Sequence, residues 1–194
     1  MTVGQAACIV QRVSYTGDLG YEIYCDPMDQ RALWWTLWAA GQPMGLAPFG
    51  MRAMMSLRLD KFFGARLREY SPDYTAAETG LDRFIDWSKD FIGRAAAEAE
   101  RTSPPARTLA AFVVDADDAD VTAYEPVFID GDVMGFCTSG GYAHHSGLSV
   151  AQALIPRDRT VPGLEVEIEI LGQRRRAVLT TVPPFDADGA RMRG

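Results

Sequence analysis

Tyr15 and Glu22 stand at the two ends of Tyr15-Thr-Gly-Asp-Leu-Gly-Tyr-Glu22. An aromatic face beside a carboxylate is a receptor for a flat heterocycle with adjacent N–H donors. The ring stacks on the tyrosine and the carboxylate accepts two parallel hydrogen bonds. The intervening residues have to bring the two groups together. Gly17 and Gly20 suit positive φ, so Thr16 to Leu19 reads as a tight turn. Val13 and Tyr15 precede it, and Tyr21, Ile23 and Tyr24 follow it. The pattern predicts a β-hairpin with Tyr15 and Glu22 close together on facing strands.

The hairpin resembles the Tyr-Thr-Gly-x-x-Gly-[Phe/Tyr]-Glu segment of the folate-binding aminomethyltransferases. That family includes the glycine-cleavage T-protein and the C-terminal halves of dimethylglycine and sarcosine dehydrogenases. The resemblance continues through Gly50-Met-Arg-Ala-Met-Met-Ser-Leu-Arg-Leu-Asp-Lys61, Glu78-Thr-Gly-Leu81, Lys89-Asp-Phe-Ile-Gly-Arg94 and Gly135-Phe-Cys-Thr-Ser-Gly-Gly-Tyr142. Ser56-Leu-Arg-Leu-Asp-Lys61 and the ending Pro184-Phe-Asp-Ala-Asp-Gly-Ala-Arg-Met-Arg193 are closer to the dehydrogenase-linked branch. Family members carry a long first half before this hairpin, which is missing here.

The resemblance implies an α+β fold: a truncated folate-binding α/β unit followed by a small antiparallel β-barrel. It places the C-terminal part of the folate-binding domain at residues 1–88, a connecting helix and linker at 89–105, and the barrel at 106–194. It implies tetrahydrofolate as cofactor, a small methylated amine or amino acid as substrate, and transfer of a one-carbon unit to the folate N5 amine. Tyr15, Glu22 and Arg52 are the implied cofactor-binding residues, with Arg52 reaching the pterin carbonyl or the tail. The family's proton-handling aspartate belongs to the missing half, and neither Asp18 nor Asp60 takes its place, so no catalytic residue is assigned. A homo-oligomer, or a partner subunit supplying the other half, is expected.

Composition narrows the classes. The chain has 194 residues, 47% of them hydrophobic, enough for an ordinary core. A net charge of −7 disfavours nucleic acid as the main partner, because a duplex rewards dense basic patches. Cys8, Cys25 and Cys137 are widely spaced and follow no metal-ligand pattern, which reads as reduced thiols in a cytoplasmic protein. The apolar run near Leu33 to Ala40 is far short of a membrane span, and Met1 to Ala7 does not read as a targeting segment.

Element signals follow in order. Met1 to Val10 reads as a strand. A helix is expected from Pro27 to Gly41, capped by Asp26, with Leu33, Leu37 and Ala40 as its apolar stripe. Trp34, Trp35 and Trp38 read as core and subunit-contact residues. A second helix spans Ala47 to Leu59, with Met51, Met54 and Met55 as core filler. Arg52 and Arg58 on this helix point to different faces. Thr75-Ala-Ala-Glu78 has capping-box spacing. A third helix runs from Phe91 to Arg101 and stops at Thr102-Ser-Pro-Pro105.

Beyond Arg107 the pattern turns to short strands: Leu109–Val114, Pro126–Ile129, Val133–Thr138, Leu148–Leu154, Val166–Ile170 and Arg174–Thr180. Asp130-Gly131 and Gly172-Gln173 mark hairpin turns, and such a series builds a small barrel or sandwich. Thr138-Ser-Gly-Gly-Tyr142 reads as a glycine-rich turn without the lysine of a phosphate loop. His144 and His145 have no third partner at metal-ligand spacing. Two other classes compete with the transferase reading: a non-catalytic interaction domain, and a subunit of a flavin-linked dehydrogenase that binds no flavin itself, since no dinucleotide fingerprint is present.

Overall fold

The structure is a computed structural model describing residues 1–194. Its first part is a three-stranded antiparallel sheet of order β1-β2-β3, from Thr2–Val3, Ala6–Arg12 and Tyr21–Cys25. Alternation sorts the side chains. Ala6, Cys8, Val10, Ile23 and Cys25 pack beneath helix α1 (Gln30–Gly41) around its buried Leu33. Ile9, Gln11, Glu22 and Tyr24 lie on the opposite, exposed face.

Helix α1 starts later than Pro27. Asp26 instead accepts the Met28 amide at 2.9 Å, closing a local turn, and the helix begins after Asp29. Of the expected stripe only Leu33 is buried. Trp34 and Trp35 are half exposed, and Trp34 stacks on Trp38 at 5.9 Å, so the tryptophans do not form the core. One short sheet face offers α1 room for a single buried position. Helix α2 (Met51–Leu59) likewise starts later than Ala47, and Met51 projects into solvent.

The capping box at α3 (Ala76–Thr79) is present. Thr75 accepts the Glu78 amide, and the Glu78 carboxylate accepts the Thr75 amide. Leu81 to Trp87 contains a 3₁₀ turn over Asp82–Phe84, and helix α4 (Arg94–Thr102) precedes the linker.

Six strands then close a barrel: β4 (Arg107–Val114), β5 (Pro126–Ile129), β6 (Asp132–Ala143), β7 (Leu148–Pro156), β8 (Glu165–Ile170) and β9 (Gln173–Thr180), in the order β4-β7-β6-β5-β8-β9. Closure removes the sheet edges. Alternate residues fill its interior: Phe112 and Val114 of β4, Ala151, Ala153 and Ile155 of β7, and Val166, Ile168 and Ile170 of β8. Asp130 and Gly131 both take positive φ, the conformation a two-residue hairpin needs. The Thr138–Tyr142 segment is not a turn. It is the interior of β6, paired with β7 through Gly140↔Ala151 and Gly141↔Val150. A short helix α5 (Ala190–Arg193) ends the chain.

Candidate functional site

The hairpin is wider than a tight turn. Strand β2 ends at Arg12 and β3 begins at Tyr21, so Val13 to Gly20 form an eight-residue loop, closed by Val13 N–H donating to Gly20 C=O at 3.2 Å. Gly17 has φ +92°, as a turn glycine should, and donates its amide to Ser14 Oγ at 2.9 Å. Gly20 is not in the left-handed region. Its constraint is crowding, since a Cβ there would stand 2.7 Å from the Val13 carbonyl.

The loop changes the relation of the two residues expected to share a ligand. The ladder sets Glu22 opposite Gln11, not opposite Tyr15. The Glu22 carboxylate lies on the exposed sheet face, where the Tyr24 hydroxyl donates to it. That hydrogen bond and the carboxylate's charge raise the Tyr24 pKa. Tyr15 leaves the strand, turns to α2 and donates its hydroxyl to Met55 Sδ at 3.7 Å. The facing-strand clamp is therefore corrected: Tyr15 belongs to the α2 side and Glu22 to the outer sheet face. The cause is loop length, because Tyr15 falls beyond the last ladder pair, Arg12↔Tyr21.

Helix α2 carries both Arg52 and the partner of Tyr15. Arg52, Met55 and Ser56 of α2 line a cleft of about 650 Å³ between α2 and strand β6, with Asp120, Tyr142 and His144 across it. Arg52 is exposed there. Ser56 fixes α2 to β6, donating to Tyr142 C=O at 2.7 Å and accepting the His144 amide at 3.0 Å. The His144 ring packs edge-on against Tyr142 at 4.9 Å, and His145 against Phe185 at 4.3 Å. The cleft thus offers a cation in Arg52, a carboxylate in Asp120 and the rings of Tyr142 and His144. The Arg52 guanidinium can donate to an anionic group, and the rings can stack on a flat ligand. Glu22 does not line this cleft.

A second set of polar residues went unnoticed in the sequence. Arg58 and Glu69 are both buried and paired at 3.4 Å. Arg58 also donates to Gln152 Oε1 at 2.7 Å and Phe63 C=O at 2.9 Å. Glu69 accepts the Ala65 amide at 2.8 Å and the Ser139 hydroxyl. Burial raises the Tyr15 pKa. The charge of Arg58 works against that rise, while Glu69 and Tyr70 add to it. The one available signal was that Arg58 lies on a different helix face from the exposed Arg52.

A third set is the C-terminal strap, Pro184 to Arg193. Lys61, buried at the end of α2, donates to Phe185 C=O at 3.2 Å and to Asp186 C=O. Arg191 pairs with Asp18 of the hairpin loop at 2.6 Å, and Arg12 donates to Met192 C=O at 3.2 Å. Glu78 is structural. Beyond its cap it accepts Arg107 Nε at 2.5 Å, tying α3 to β4. No group of three His, Cys, Asp or Glu side chains converges as a metal site. No helix is long and apolar enough to cross a membrane.

Two family descriptions match the chain in succession: "GCVT N-terminal domain" over residues 1–89 and "Glycine cleavage T-protein C-terminal barrel domain" over 107–186. Mouse mitochondrial dimethylglycine dehydrogenase is 36% identical over 184 residues, covering 94% of this chain and 21% of that protein. An aminomethyltransferase of Moorella thermoacetica is 34% identical over 178 residues, covering 91% of this chain and 48% of its own. The crystal structure of the glycine cleavage system aminomethyltransferase T from Bartonella henselae superposes with a TM-score of 0.81 at 24% identity. It covers 92% of this chain and 50% of that one, and so shows the shared fold. The chain spans about half the length of the aminomethyltransferases it matches and about a fifth of the dehydrogenase.

Proposed function

The chain belongs to the glycine-cleavage T-protein family of aminomethyltransferases, and on that premise we propose that it is a tetrahydrofolate-dependent one-carbon transferase module. The supporting observation is that both family domains match in order, with α2 and the barrel wall meeting around one cleft and Tyr15 of the hairpin loop bonded to Met55 of that helix. We take residues 1–88 as the folate-side unit, 89–105 as linker and 106–194 as barrel. A small methylated amine or amino acid is the donor class, in keeping with the name of the dehydrogenase relative.

In this reading tetrahydrofolate supplies a nucleophilic amine, and the protein binds and orients it. Glu22 exchanges the Tyr24 hydroxyl for paired N–H donors of the pterin. Tyr15 offers a half-buried ring anchored on Met55, on the α2 side of the loop. Arg52 faces the carbonyl or anionic tail from the α2 cleft. No side chain is assigned to proton transfer. A second polypeptide, or an N-terminal half of the same protein, completes the donor pocket.

Titration of tetrahydrofolate against the purified chain tests this. Saturable binding is expected, weakened by about 1–3 kcal/mol in Glu22→Ala. A dissociation constant above about 1 mM overturns the reading for this chain. The exposed Trp34 and Trp35 favour a second reading, a non-catalytic interaction domain, in which the chain self-associates or binds protein but not folate.

A further inference from the structure

We infer that Glu69 and Arg58 are positioning residues, which clamp the turn after α2 to the outer wall of the barrel and thereby set where Tyr15 and α2 sit. The inference rests on the proposed role of Tyr15 in ligand binding, but its geometry is independent of any ligand.

The barrel prepares the clamp. Residues of β7 alternate, so Ala151 and Ala153 face the interior and Gln152 faces outward. On β6, Cys137 faces the interior and pairs with Ala153. Strict alternation would turn Ser139 inward too. Instead the register shifts between Cys137 and Ser139, so Ser139 pairs with Gln152 on the outer face. One extra residue in the strand therefore places a hydroxyl and an amide side by side outside the barrel.

Both groups are buried, because the turn from Asp60 to Tyr70 covers them. The partners are complementary. Gln152 accepts from Arg58 through Oε1 and donates to Phe62 C=O through Nε2 at 2.7 Å. Ser139 donates to one oxygen of Glu69, while Ala65 N–H and Arg58 use the other. Phe62, whose carbonyl takes the Gln152 amide, has a positive φ of 54°. A non-glycine residue holds that backbone only when its surroundings fix it.

A buried ion pair of this kind is weak evidence for stability, since desolvation offsets its attraction; here its hydrogen bonds to Phe63, Ala65 and Gln152 tie three segments together. What it arranges is the base of α2. Met55, the partner of Tyr15, lies less than one turn before Arg58 on that helix. Tyr15, Tyr70, Arg58 and Glu69 form one electrostatic neighbourhood, with Arg68 at its edge.

The test uses the whole chain with Glu69→Gln, which keeps side-chain shape and removes the charge. Three readouts are taken: titration of Tyr15 by ¹³Cζ-tyrosine NMR, the ring-shifted Met55 methyl resonance, and tetrahydrofolate affinity. The Tyr15 midpoint should fall, because a neighbouring negative charge is lost. The Met55 methyl should shift, and affinity should drop by about tenfold or more. Glu69→Asp should hold the Tyr15 midpoint near wild type. If Glu69→Gln does not fold, Ser139→Ala is read by the Met55 methyl in its place. An unmoved Tyr15 midpoint or Met55 methyl overturns the inference, as does unchanged affinity where the wild type binds. If wild type does not bind tetrahydrofolate, the proposed function fails, while the two NMR readouts still decide the role of Glu69.

Discussion

Lys61 lies flat against Gly17: a Cβ on that glycine would stand 2.5 Å from the lysine Cγ. The same lysine holds the strap through Phe185 and Asp186. One buried cation therefore joins the loop that carries Tyr15 to the end of α2 and to the C-terminal segment.

Gly17→Ala should be destabilising for two reasons. Its φ of +92° disfavours any Cβ, and the new methyl displaces Lys61 from the strap. The expected loss is about 1–3 kcal/mol. It is measured by urea unfolding, with raised hydrogen exchange at residues 13–20 and 184–190. Equal stability and unchanged exchange would show that the loop repacks freely around the methyl.

Strand alternation was readable because each barrel strand has one interior face, and Val166-Glu-Ile-Glu-Ile170 carries that pattern by itself. The capping box was readable for a similar local reason, since Thr75 and Glu78 satisfy each other's amides. The eight-residue loop was not, because Tyr15 is spent on α2 instead of the ladder, a choice made by Met55. The glycine-rich stretch of β6 was misread as a turn because its strand character comes from pairing with β7. The Arg58–Gln152 contact joins residues 94 apart through a register shift that leaves no mark in composition. Local chemistry was legible, and chemistry assembled across the barrel wall was not.

Glu78 should contribute to acid sensitivity. Burial opposes ionisation of this carboxyl, but the hydrogen bond from Arg107, the Thr75 amide and the Arg107 charge outweigh it, and the pKa is lowered. A depressed folded pKa means that the ionised form stabilises the fold. That contribution is complete above the unfolded carboxyl pKa of about 4.3 and is lost as pH falls through the lower folded value. Thermal unfolding followed from neutral pH to about pH 3 should show wild type losing more stability on acidification than Glu78→Gln. Parallel curves would mean that Glu78 gains nothing from Arg107.

Gly140→Ala tests the contact between β6 and the loop before β5. A Cβ at Gly140 would meet Val121 at 2.5 Å and the Val150 carbonyl at 2.9 Å. Val121 is buried and belongs to the barrel core, so it has little room to move. Overpacking of this kind costs about 1–3 kcal/mol. The midpoint of denaturant unfolding should fall by a corresponding amount, with the barrel strands exchanging faster. A wild-type midpoint would require Val121 to move aside at no cost.

Cys137 should be silent toward alkylating reagents in the folded protein. It faces the barrel interior, and burial, with a smaller contribution from the charge of Glu125, pushes its pKa up to about 12. The thiolate is the reactive form, so at mildly alkaline pH both access and ionisation are denied. Cys25 is half-buried on the hairpin, beside Cys8 across the ladder, and its pKa is raised as well, chiefly by desolvation. Iodoacetamide followed by peptide mass spectrometry should therefore label Cys25 slowly and Cys137 only after unfolding. The rate at Cys137 should then report global opening of the barrel. Labelling of Cys137 as fast as Cys25 under native conditions would mean that the closed ladder β4-β7-β6-β5-β8-β9 opens locally around β6.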